Sequence, residues 1–202
     1  MSTLVYISSR NGIAKNAKEA VTYAKKIDSE VTVVTTGDAD EATLNSLGEF
    51  GASKVLVDRS VSFDDSQQLT NVIAKAVEIT AANTVVFSHD LVAKAVASRL
   101  SVKLKAGFIS GAIDIPQGDT VKVNVFSGKA FGNVKINSER KIISLLPNSF
   151  QPEASQTNCT VEEFDGNSGE AQIKLIDTKK PEGEIPLPEA ELVVSAGRGL
   201  KG

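Results

Sequence analysis

The sequence predicts an α/β protein: a doubly wound, mostly parallel sheet with helices on both faces, plus a partly antiparallel, strand-rich C-terminal region. Three observations carry that expectation. Four β-branched runs recur in the N-terminal half: Thr3–Ile7, Val31–Thr35, Lys54–Val57 and Thr84–Phe87. Apolar residues at helical spacing fill the gaps between them. After Gly107 that spacing gives way to strict alternation of apolar and polar residues.

None of the four runs alternates cleanly, which is the pattern of strands buried on both faces, as in parallel sheets covered by helices. Between the first two, Ala14, Ala17, Val21, Ala24 and Ile27 recur at three and four residues and share one helix face. Their small side chains allow close packing on a sheet. Asp40 is placed to cap a helix over Glu41–Leu47, which Gly48 is expected to end. Leu69, Val72, Ile73, Ala76 and Val77 mark a third helix, with Asp65 or Ser66 as its cap. Asp90 caps a fourth, whose inner face holds Val92, Ala95, Val96 and Leu100. Strand–helix alternation with right-handed crossovers gives the doubly wound sheet.

Beyond Gly107, Val121, Val123 and Val125 alternate with Lys122 and Asn124, and Val134 and Ile136 alternate with polar neighbours. Lys141–Leu146 is expected as a third strand of this region and Ala171–Ile176 as a fourth, with Gly128, Gly132, Asn137-Ser138 and Gly166–Gly169 between them. Such strands have one solvated face.

The 202 residues are 41% hydrophobic and 23% charged, an ordinary globular mixture, and with no Trp and 2 Tyr the core must be aliphatic. The single Cys159 excludes an internal disulfide and any multi-cysteine metal site, and fits a reducing compartment. There is no signal-peptide pattern and no apolar stretch of membrane-spanning length. A net charge of −3 gives no electrostatic case for nucleic acid. The charge is uneven: residues 151–191 hold ten acidic and three basic side chains, a net of −7, together with Pro181, Pro186 and Pro188. That stretch reads as a solvated excursion or linker.

Few residues suit catalysis. His89, the only histidine, follows the fourth strand in Ser88-His89-Asp90, at the sheet edge where ligands usually bind. It has no nucleophile or metal set to work with, so a strand-end histidine beside a helix cap is the plainer reading. Cys159 lies in an acidic loop that disfavours a thiolate. Asp64-Asp65 precede a helix, where capping outranks metal binding. The first turn, Ser8-Ser9-Arg10-Asn11-Gly12, lacks a phosphate loop, which weakens the alternative of a stand-alone adenine-nucleotide-binding module.

The last dozen residues are the most informative. Leu192–Val194 is a short apolar run of strand character, and it enters Gly197-Arg198-Gly199-Leu200-Lys201-Gly202, a Gly-x-Gly-x-x-Gly turn. The two leading glycines let backbone approach a cofactor, and Arg198 between them can meet a phosphate or an electron-rich ring. The segment from Val193 to Lys201 resembles the opening of the FAD domain of the electron transfer flavoprotein α subunit. Leu4-Val5-Tyr6, Gly12 with the helix after it, Gly51–Val57, Ser127-Gly128-Lys129-Ala130 and Lys141–Phe150 resemble that family's N-terminal domain. Ala196 stands where many members have Gly, Leu146 where many have Arg, and Gly111 where Asp is common.

The resemblance implies a division into an α/β N-terminal domain (1–180), a linker (181–190) and the opening strand and glycine turn of a truncated FAD domain (191–202). It implies an electron carrier rather than an enzyme, with no catalytic residue and no metal. FAD is expected in the complete protein, contacted by Gly197, Arg198 and Gly199, and none on this chain alone. The implied partners are a β subunit in a heterodimer, flavin dehydrogenases such as those of fatty acid β-oxidation, and a membrane quinone reductase. Neither nucleic acid nor membrane insertion is expected. The implied location is the cytoplasm of a bacterium or, after processing, the mitochondrial matrix. Phe126, Phe131 and Phe150, near strand ends, are the aromatic candidates for a partner surface.

Overall fold

Strand β1 (Thr3–Ser8) is buried over its first five residues and pairs in parallel with β2 (Val31–Thr36) on one side and β4 (Thr84–Ser88) on the other. In the computed structural model, which describes residues 2–10, 12–178, 187, 190 and 192–200, β2 in turn pairs with β3 (Lys54–Asp58). The connections are α1 (Lys15–Ile27), α2 (Glu41–Asn45) with a 3-10 turn over Ser46–Glu49, and α3 (Ser66–Thr80). Helix α4 (Leu91–Leu104) leads on to β5 (Gly107–Ala112), β6 (Thr120–Val125), β7 (Ala130–Lys135), β8 (Lys141–Leu145) and β9 (Thr160–Glu163). Among the described residues these form one nine-stranded sheet in the order β7-β6-β5-β8-β4-β1-β2-β3-β9. Only the β5–β6 and β6–β7 pairings are antiparallel.

The continuous apolar runs are explained by two cores. Alternate residues of each strand point to opposite faces. Val5, Val33, Val55 and Val86 pack with Ala17, Ala20 and Val21 of α1. Leu4, Val34, Leu56 and Phe87 pack with Leu69 and Ile73 of α3 and Val96 and Leu100 of α4. The caps are formed by the expected aspartates. Asp40 accepts from the Thr43 N–H at 2.7 Å, Asp65 from Gln67 at 2.8 Å and Asp90 from Ala93 at 2.8 Å. No described helix is long and apolar enough to cross a membrane.

Three expectations need correction, and one strand was missed. Gly48 does not end a helix as a left-handed cap; it lies inside the 3-10 turn. Its missing side chain makes room for the chain beyond it, since a Cβ would sit 2.5 Å from the Thr157 carbonyl and 2.9 Å from Cys159. Lys141–Leu145 is not part of the half-solvated region. It runs parallel between β4 and β5 and is buried after its first residue. Strand β5 was hidden from pattern reading by its glycines and serine. Residues 171–176 form no strand, the outer edge of β3 pairs with β9, and Ile176 is 92% exposed.

Gly48→Ala is expected to destabilise the fold by about 1–3 kcal/mol, because a backbone carbonyl cannot swing aside as a flexible side chain does. Urea denaturation checks this through a lowered midpoint at an unchanged slope.

Candidate functional site

The strand order reverses between β1 and β4: the chain steps outward through β2 and β3, then returns to the far side of β1. Crevices at such a reversal, outside the carboxyl ends of the strands, are where open α/β sheets bind ligands. Here a cavity of about 130 Å³ is lined by Tyr6, Ser8, Ala14, Asn16, Phe87, Ser88 and Asp90, among others. Arg10 closes the β1–α1 loop by donating to the Asp64 carboxylate at 3.0 Å and to the Val61 carbonyl at 2.7 Å. Those bonds tie Arg10 to the loop between β3 and α3. Asp65 is engaged in capping, as expected.

Two hydroxyls of the crevice walls are buried without a hydrogen-bond partner, those of Tyr6 and Ser88. They lie on opposite faces of the sheet. Tyr6 belongs to the α3–α4 core and packs on Phe87, with ring centroids 5.8 Å apart. Burial pushes its hydroxyl pKa up, and the neighbouring Thr36 side chain opposes the shift without reaching hydrogen-bond geometry. Ser88 follows Val86 by two residues and so faces α1. The Asp90 carboxyl is raised by burial, partly offset by the backbone N–H groups it caps.

His89 lies at the same edge. Its Nδ1 is 2.9 Å from Ser144 Oγ, and the Gly111 N–H donates to that same oxygen at 3.1 Å. With Gly111 as donor, the Ser144 hydroxyl proton is available to a neutral imidazole. Gly111 has φ +77° at an irregularity in the β5–β8 ladder, a conformation glycine adopts without strain. Burial lowers the His89 pKa, and Lys94 adds to the shift. Ser144 is fully buried, so this pair orients a strand end and activates no nucleophile. Among the described residues no three His, Cys, Asp or Glu side chains group to hold a metal. Burial raises the Cys159 thiol, which disfavours a reactive thiolate.

Gly197, Arg198 and Gly199 come together in one exposed turn, closed by the Leu200 N–H on the Gly197 carbonyl at 3.0 Å. Nothing lies within 4 Å of where a Cβ on either glycine would sit, so the turn backbone is open to approach. Residues 192–196 have no strand pairing, and Gly202 lies outside the described residues. The turn is not part of the crevice lining. Sequence reasoning pointed to His89 in the Ser88-His89-Asp90 tripeptide. The crevice is lined instead by its two neighbours, together with Asn16, for which helical periodicity gave no signal.

A model of the electron transfer flavoprotein domain family matches residues 3–168. The chain is 28% identical over 203 residues to the electron transfer flavoprotein subunit alpha of Bacillus subtilis (strain 168), covering 95% of this chain and 62% of that protein. It is 27% identical over 210 residues to the subunit alpha of Syntrophomonas wolfei subsp. wolfei, covering 99% and 66%. It is 26% identical over 214 residues to a probable mitochondrial subunit alpha of Saccharomyces cerevisiae, covering 99% and 62%. The chain therefore spans between 62% and 66% of the length of these relatives.

The lowered His89 pKa has a definite sign. The unfolded chain binds a proton at His89 more readily than the folded one, so His89 costs stability as pH falls below its unfolded value of about 6.5. His89→Gln is expected to flatten the loss of stability from that pH downward and to leave it unchanged above, as read by urea midpoints across the range.

Proposed function

This chain belongs to the electron transfer flavoprotein domain family, and we propose that it is the α-subunit part of a heterodimeric FAD electron carrier. The observation that carries this reading is the family match over residues 3–168, which spans the sheet from β1 to β9. The α-subunit names of the relatives support it at nearly full coverage of this chain. As a carrier it transforms no substrate. It takes electrons from flavin dehydrogenases, such as those of acyl-CoA oxidation, and passes them to a membrane quinone reductase. Its place is the bacterial cytoplasm or the mitochondrial matrix.

The Gly197–Leu200 turn fits one edge of FAD. Its glycines leave the backbone open, and Arg198 is exposed with several donors in one plane. A bound FAD supplies the redox chemistry. Arg198 contributes charge and orientation, and the α/β body acts as scaffold and partner surface. One exposed turn does not offset the entropy of immobilising so large a ligand, so FAD retention needs more protein than the turn offers. A stand-alone adenine-nucleotide module has less support, since the crevice of about 130 Å³ is well below the roughly 300 Å³ where ligand pockets begin.

In the assembled two-subunit protein, Arg198→Ala is expected to weaken FAD binding more than Arg198→Lys, because an ammonium keeps charge but not the planar donor set. Fluorescence titration of the apoprotein with FAD checks the order. Equal affinity in wild type and both variants would return Arg198 to a solvated surface role.

The hairpin β6–β7 is the best partner surface. Phe126 is 79% exposed and Phe131 is 63% exposed, with Lys122 Nζ 4.5 Å above the Phe131 ring. Phe150 is not available in the same way, because it packs edge-on against Tyr23 at 5.2 Å. Phe126→Ala and Phe131→Ala are each expected to weaken association with the β subunit by about 1–2 kcal/mol, as truncation of an interface aromatic does. Phe150→Ala should act through stability. Calorimetry with the matching β subunit separates the two.

A further inference from the structure

The β6–β7 hairpin is an arm more than a layer of the sheet. Its two strands pair with each other from Thr120↔Lys135 to Val125↔Ala130, but β5 is in register with β6 only at Ala112↔Val123. Among the described residues, the tip beyond Asn124 therefore rests on no neighbouring strand. Every residue of β7 except Gly132 is exposed, so this strand lies bare on both faces. A two-stranded hairpin is marginal in water by itself, and bare faces add little to hold it.

The tip is also strained. Phe126, Ser127 and Gly128 follow one another at φ +52°, +56° and +81°. This left-handed turn is closed by the Gly128 N–H on the Val125 carbonyl at 3.1 Å and the Lys129 N–H on the Phe126 carbonyl at 3.2 Å. Glycine takes that form freely, and Asn with little strain. For a bulky residue such as phenylalanine it is costly and rare. A residue held in costly backbone geometry points to a demand other than stability. Packing within the chain does not supply that demand, because Phe126 is 79% exposed.

The charge of the arm narrows what it meets. Between Thr120 and Asn137 there are Lys122, Lys129 and Lys135 and no acidic residue, in a chain of net charge −3. Lys122 Nζ lies 4.5 Å from the centre of the Phe131 ring, so cation and aromatic share one surface. The complement of such a surface is an apolar pocket bordered by carboxylates.

We propose that the left-handed turn is a preformed anchor, which presents the Phe126 ring to an apolar pocket with an acidic rim on the β subunit. The inference rests on the α-subunit reading above and goes beyond it: the position of the ring is set by a backbone form that the free chain keeps at a cost. An anchor fixed before contact loses less conformational entropy on binding.

The test compares the free chain with the two-subunit complex. Phe126→Asn relieves the turn and removes the ring. It is expected to raise the urea midpoint of the free chain, which also shows that the variant folds. In calorimetry it should weaken association with the β subunit about 5- to 30-fold. Phe126→Tyr keeps both ring and strain and should leave both readouts close to wild type. Lys129→Glu should weaken association, more at low salt than at high. If the wild-type chain does not bind the β subunit, the α-subunit reading falls and this inference with it. If the wild type binds and Phe126→Asn binds equally well, the anchor alone is refuted. A midpoint that Phe126→Asn does not raise removes the strain, and an affinity that Lys129→Glu leaves unchanged removes the acidic rim; either result overturns the proposal.

Discussion

Every central strand of a parallel sheet covered on both faces must find hydrogen-bond partners along both edges, because water cannot reach its backbone. The rest of this molecule depends on how β4 meets that requirement. One edge pairs with β1; the other is filled by β8, which arrives from beyond the β6–β7 hairpin and inserts between β4 and β5. The register runs from Thr84↔Lys141 to Ser88↔Leu145 on one side and from Gly107↔Lys141 on the other. The same insertion brings Ser144 to His89 and Gly111, so the polar cluster at that edge is a by-product of strand placement.

The chain between β8 and β9 then crosses from the middle of the sheet to its β3 edge, and its fastenings explain several polar residues that would otherwise be odd in a core. Glu19 on α1 is 1% exposed, and one of its oxygens accepts the Asn148 N–H at 2.9 Å. The Thr22 hydroxyl accepts the Glu153 N–H at 3.2 Å. Asp58, at the end of β3, is buried and accepts from the Ser60 backbone and hydroxyl and from the Gly166 N–H. Asp58 is thus satisfied by backbone and hydroxyl donors, whereas the second Glu19 oxygen has no hydrogen-bond partner among the described residues and lies 3.8 Å from Lys15 Nζ. Strand β9 then protects the β3 edge from stray pairing.

The two places where chemistry is available have different origins. The crevice beside α1 exists because strand order reverses at β1 and β4, and its walls are rigid parallel strands. The Gly197–Leu200 turn is exposed and lies outside the crevice, and the role proposed for it rests on unobstructed backbone and the Arg198 guanidinium. The proposed electron carrier would need surfaces more than an enclosed catalytic pocket. The exposed aromatics of the β6–β7 hairpin and the open turn fit that need better than the small crevice does.

Periodicity alone was sufficient for the first four strands, the helices between them and the aspartate caps, because burial on both faces, burial on one helix face and capping each leave a local trace. Helix α1 was legible from Ala17, Val21 and Ala24, but Ala14, expected on the same face, precedes the helix and is exposed, as is Ala95, expected on the inner face of α4. The Gly-Arg-Gly turn was legible as a motif because backbone approach needs glycine at fixed positions. Tertiary structure alone decided that Lys141–Leu145 belongs to the parallel core, that β5 is a strand despite its glycines, and that the edge beside β3 is taken by Thr160–Glu163 and not by residues 171–176. The physical reason is common to all of these: a strand's partners, and the groups that meet across a sheet edge, are fixed by hydrogen bonds between segments far apart in the chain, and such pairing leaves no periodic mark on either segment.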